Sequence, residues 1–185
     1  MANRSCLFAD GDPEPLRYVR NDDDEFSVTY GKRYVLVAGC AWQVPVFWLF
    51  CYDPEDLTIA EAGDDEIPTL TAPIERVKAR LAEREKRARR LFPEHADVWA
   101  EWVAAIGKVK RPYLKVEMGE IWCLSPDTWH DGVASALAWI AGRSRKGLED
   151  LLGVAGIQRY DQRTGKLSFD EERECAEKFL YGWLE

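Results

Sequence analysis

The chain has 185 residues, 33 of them acidic and 25 basic, and a formal charge of -8 with both histidines neutral. That length suits one domain able to bury its own core without disulfide or metal staples. A 46% hydrophobic share with 8 Trp, 7 Tyr and 7 Phe excludes a disordered chain. The acidic balance argues against general nucleic-acid or anionic-membrane binding.

In chain order, Arg4 to Phe8 reads as a short opening strand and is followed by a turn-rich acidic stretch. Up to residue 30, seven acids, including Asp22, Asp23, Asp24 and Glu25, stand against three arginines, a local balance of -4. Arg33 to Ala38 is β-branched, aromatic and short, which predicts a buried strand. The apolar run Val44 to Tyr52 has no period, and Pro45 suits either the first position of a helix or the start of an edge strand, so its element type stays open. Gly39, Gln43 and Pro45 interrupt the stretch from Tyr34 to Tyr52 too often for a membrane span.

Residues 53–66 carry Asp53, Glu55, Asp56, Glu61, Asp64, Asp65 and Glu66 and no base, a balance of -7. Such a window reads either as solvated loop or as a surface for a basic partner. A helix follows, with Thr71 placed to cap, Pro73 in its first turn, and Ile74, Val77, Leu81, Ala88 and Leu91 on one face. Its eight bases against three acids predict a charged outer face with Glu83–Arg87 and Glu85–Arg89 pairs. Pro93 ends it, and a second helix is expected from Glu94 to Ile106.

Tyr113 to Glu117 alternates, Met118-Gly119 reads as a turn, and Glu120 to Leu124 resumes, which together predict a β-hairpin. A helix from Pro126 to Ala141, a helical turn around Leu148, Leu151 and Leu152, and a small hairpin at 157–160 and 166–168 come next. Asp170 is placed to cap a last helix with Cys175, Ala176, Phe179, Leu180 and Trp183 on one stripe. The pattern is that of an α+β chain, a single domain over 1–185, with a mixed or antiparallel sheet packed with about four helices.

The five cysteines are odd in number, scattered and free of any Cys-x-x-Cys pair, which reads as core packing in a reducing cytosol. The N-terminus lacks the apolar stretch of a secretory signal, so a cytoplasmic location is expected. No phosphate-cradling glycine loop, His-Glu-x-x-His or Gly-x-Ser-x-Gly is present, and the acid clusters lack the spacing of a calcium loop. No cofactor or metal is therefore expected, and the chain reads as a non-enzyme. Cys123 and His130, with Asp127 or Asp131 nearby, leave a thiol-dependent hydrolase as the alternative, although His130 lies off its helix's apolar stripe.

The opening Met1-Ala2-Asn3-Arg4-Ser5-Cys6-Leu7-Phe8 and the Pro45-Val46-Phe47-Trp48-Leu49 run resemble a group of uncharacterised bacterial proteins that begin Met-Ala-Asn-Arg-Ser-Tyr-Leu-Tyr and carry an apolar Pro-x-x-Trp segment. Cys6 and Phe8 stand where that group has tyrosines, and no functional residues come with the likeness. It implies a bacterial cytoplasmic protein of the toxin-immunity kind. The expectation is a binding protein that neutralises a toxin domain through Asp22, Asp23, Asp24, Glu25, Asp53, Glu55, Asp56, Asp64, Asp65 and Glu66, with surface aromatics as anchors. A regulatory binding module without a toxin remains open, and neither membrane nor nucleic acid is expected as a partner.

Overall fold

The structure is a computed structural model that describes residues 4–20, 26–28, 34–62, 65–124, 126–157, 159–168 and 180–184. Its centre is a six-stranded, wholly antiparallel sheet. The strands are β1 (Arg4–Asp10), β4 (Val35–Ala41), β5 (Leu57–Ala62), β6 (Asp65–Pro73), β7 (Tyr113–Glu117) and β10 (Trp183–Leu184), in the order β10-β4-β1-β7-β6-β5. Two small ribbons stand apart from it, β2 (Tyr18–Arg20) with β3 (Phe26–Val28), and β8 (Arg159–Asp161) with β9 (Lys166–Ser168). The fold is α+β, as expected, and four helices exceed two turns: α2 (Ile74–Leu91), α3 (Ala96–Gly107), α5 (Pro126–Ile140) and α6 (Leu148–Ala155). Two single turns, α1 (Val46–Leu49) and α4 (Gly119–Trp122), complete the α-helices of the described residues, beside two 3-10 turns at Pro54–Asp56 and Pro93–His95.

The open question at 44–52 resolves as helix. Pro45 stands at the N-cap of α1, and every side chain from Val46 to Tyr52 is fully buried. A turn that is apolar all round belongs inside the protein rather than on its surface. Phe47 meets Trp99 edge-on at 5.0 Å and Phe92 at 5.5 Å, while Trp48 Nε1 donates to the Tyr181 carbonyl at 2.8 Å. This aromatic block sits on one sheet face with Leu7, Ala38, Leu70, Leu114 and Val116, and α2, α3 and α5 close over it. The other face is covered by Leu16, Tyr18 and Trp122, which pack on Phe8, Ala60 and Ile67.

Several expectations are corrected. Leu57–Ala62 and Asp65–Pro73 pair as a hairpin, β5 and β6, in which Ala60 and Ile67 lie opposite each other on the face that is buried under Leu16 and Tyr18. Thr71 lies inside β6, and α2 starts at Ile74 with Pro73 as its N-cap and no side-chain cap. Glu120 to Leu124 is no second hairpin arm. Both edges of β7 are already taken by β1 and β6, so the chain after Met118 turns into α4. The last helix falls almost wholly outside the described residues, and Trp183, expected on its stripe, lies in β10 against β4.

Candidate partner-binding surface

The acids assigned to partner binding fare differently. Asp53 and Asp56 are buried and turned towards α2. Arg80 Nε meets Asp53 at 2.7 Å and its Nη1 bonds Asp56, while Arg84 bonds Asp53 through Nη2. The same guanidinium of Arg84 donates to the carbonyls of Phe50 at 2.9 Å and Tyr52 at 2.7 Å, and Arg80 reaches the Cys51 carbonyl at 3.2 Å. These carbonyls follow α1 and have no helical partner, so buried arginines from α2 satisfy them. Glu55 is exposed but bonded to Arg143. Two acids of the window are thus spent on the buried arginines of α2 and a third on an exposed pair with Arg143. Asp65 is half-buried and Glu66 exposed, while Asp22, Asp23, Asp24, Glu25 and Asp64 lie outside the described residues.

The basic helix is correspondingly less exposed than its outer-face reading. Glu85 and Arg89 pair at 2.8 Å as expected. Arg87 instead donates to the Trp139 carbonyl at 2.7 Å and stacks 4.5 Å from the Trp139 ring centroid. Helical spacing puts residues 80, 84 and 87 on the inward side of α2, a signal legible beforehand had the arginines been counted with the apolar stripe.

What the surface offers instead is Trp42. Its indole is 61% exposed, and its φ of 71° makes it the only non-glycine with positive φ among the described residues. A bulky side chain in the left-handed region costs about 1–2 kcal/mol. The residues that follow are anchored: Ser5 Oγ donates to the Gln43 carbonyl at 2.6 Å, and the Val44 amide donates to the Val154 carbonyl at 3.2 Å, while Ala41 before it is paired with Arg4 in the sheet. Around it lie groups that register brings to the same sheet end. Arg4 pairs with Ala41, and the Arg4 amide donates to Glu120 Oε2 at 2.9 Å. Cys123, one turn beyond Glu120, feels the charge of Asp65 and Glu120, and Leu124 beside it is 56% exposed. This end of the sheet therefore carries exposed Trp42 after β4 and exposed Leu124 after α4, with Asp65 and Glu66 on β6, Glu120 on α4 and Arg4 on β1.

Beneath Tyr18, β7 turns two charged side chains into the protein. Lys115 is fully buried against Asp10, and Glu117 is 5% exposed with Oε1 accepting the Gly119 amide at 2.7 Å. Gly119 is needed here, since a Cβ on it would sit 2.8 Å from the Tyr18 ring. Burial pushes the Glu117 carboxyl up to about 7 despite that hydrogen bond and the Tyr18 hydroxyl. The folded chain therefore holds a proton that the unfolded chain releases near 4.5, so the contribution of Glu117 to stability is fullest below pH 4.5 and is lost as pH rises through 7. Glu117→Gln is expected to leave urea stability unchanged at pH 4.5 and to raise it at pH 8 by on the order of 2–3 kcal/mol. Equal stability of the two proteins at both pH values would show that water reaches this carboxyl.

The thiol alternative finds little support in the geometry. Burial, then Asp65, Glu117 and Glu120, push the Cys123 thiol up, the reverse of what a nucleophile needs. His130 faces Asp131 at 3.4 Å on the exposed side of α5, and no contact joins it to Cys123 among the described residues. Cys123 is expected to react with iodoacetamide at pH 7 no faster than glutathione does; a rate tenfold higher would restore the hydrolase. No three His, Cys, Asp or Glu side chains of the described residues converge as metal ligands, and no described helix is long and apolar enough to cross a membrane.

No family model, curated protein or solved structure matches the chain. The sheet-end surface is therefore described by its own geometry. Surface aromatics are the expected anchors, but nothing in the composition of eight tryptophans singles one out. The available signal was the place of Trp42 between the predicted strand ending at Ala38 and Pro45, beside Gln43, which interrupts the apolar stretch.

Proposed function

We propose that this is a binding protein of the bacterial cytoplasm that neutralises a basic toxin domain, with Trp42 as the central anchor of its contact surface. The observation that carries the reading is the exposed indole of Trp42 held in a left-handed backbone. Strain of that kind collects where a side chain is kept in place for use, and tryptophan is among the residues enriched at interface hot spots. Leu124 extends the apolar contact, and Asp65, Glu66 and Glu120 give the rim a negative potential that steers a cationic partner into place. Asp53 and Asp56 are left out of this surface, because their charge is already matched by Arg80 and Arg84.

The test is co-expression with the product of the neighbouring gene. The expected result is a complex that survives purification, weakens as salt is raised, and relieves the partner's toxicity to the host cell. A non-toxic neighbour that does not co-purify would remove the reading.

A further inference from the structure

At the opposite end of β4 from Trp42, Val35, Leu36 and Val37 line a cavity of about 460 Å³ together with Ala9, Ala105 and Val109. Its other walls are Lys108, Lys110 and Arg111, from the connection between α3 and β7. Two features make this more than a surface dent. The first is the sheet edge. Among the described residues β10 pairs with Ala38 and Gly39, and on the side away from β1 the backbone of Val35 and Leu36 has no strand partner among them. The second is charge. In a chain of net charge -8, Lys108, Lys110 and Arg111 are exposed and make no ion pair among the described residues.

We infer that this edge of β4 is a strand-addition site for an extended acidic peptide segment with alternating apolar residues. Main-chain groups of the incoming segment would continue the ladder that β10 begins. Every second side chain would enter the aliphatic cavity, and the carboxylates between them would meet the three cations. Charges that merely protect an edge stand on the edge strand itself. Here Lys108, Lys110 and Arg111 line the same cavity as Val35 and Val37 but come from the connection between α3 and β7. The site goes beyond the Trp42 surface: the seven residues of β4 separate the two by about 20 Å, and the two ends carry opposite charge.

The probe is a fluorescein-labelled peptide of alternating glutamate and valine, followed by anisotropy at low salt against the full chain. Saturable binding is expected, weakened at least tenfold in Lys108→Glu/Lys110→Glu/Arg111→Glu and unchanged in Trp42→Gly. A second peptide with alternate backbone nitrogens methylated has the same charge but cannot complete the ladder, and is expected to bind at least tenfold more weakly to the unaltered protein. The inference is overturned if the parent peptide fails to bind, or if the methylated peptide binds equally well, which would reduce the site to charge attraction. Binding of decanoate without binding of the peptide would also overturn it, assigning the cavity to a fatty carboxylate. None of these outcomes depends on the toxin complex, so failure here and failure of the proposed function are separate results.

Discussion

Lys115→Met is expected to cost about 3–5 kcal/mol of folding stability, and most of that loss is expected to return in Asp10→Asn/Lys115→Met. Lys115 is fully buried in the second of the two central strands, with Nζ 2.5 Å from Asp10 Oδ2, bonded also to the Glu14 carbonyl and 5.7 Å from the Tyr34 ring centroid. Asp10 is equally buried and accepts the Gly11 amide at 2.6 Å. Removing the ammonium strands a carboxylate in a medium that solvates it poorly, whereas removing both charges leaves an amide and a thioether that such a medium tolerates. A double-mutant cycle read from urea midpoints measures the coupling directly. Single variants that each lose less than about 1 kcal/mol would mean that the pair behaves as a solvated one.

Lys115 also shows where the reading of the sequence stopped. The alternation of Tyr113 to Glu117 correctly predicts a strand, and alternation ordinarily assigns its polar residues to solvent. Here the polar face is covered by Leu16 and Tyr18, an arrangement that depends on a crossing from the first turn-rich stretch to β7 and leaves no local trace. Helices α2, α3 and α5 are legible because their 3.6-residue stripes and their proline and glycine boundaries are local. The fate of Asp53 and Asp56 is not, because it depends on Arg80 and Arg84, roughly thirty residues away in sequence. Charge counted along the chain separated an acidic window from a basic helix. Folded, the two meet, and part of each is neutralised inside.

For Trp42 the same logic yields two variants with opposite expectations. Trp42→Gly removes both the indole and the cost of the left-handed backbone, offset by the greater freedom glycine brings to the unfolded chain. Its folding stability is expected to be unchanged or raised by up to about 1 kcal/mol, while affinity for the proposed toxin partner falls by at least 2 kcal/mol, about thirtyfold. Trp42→Ala removes the indole but keeps a Cβ in the same backbone position, so the same loss of affinity is expected without the gain in stability. A tryptophan that served packing would behave otherwise: at 61% exposure it has little buried area to lose, yet both variants would have to be destabilised together. Unfolding midpoints and dissociation constants measured on both variants therefore separate the two roles. If both bind the toxin as tightly as the parent chain, Trp42 is not the anchor, and the strain at this position has no partner to serve.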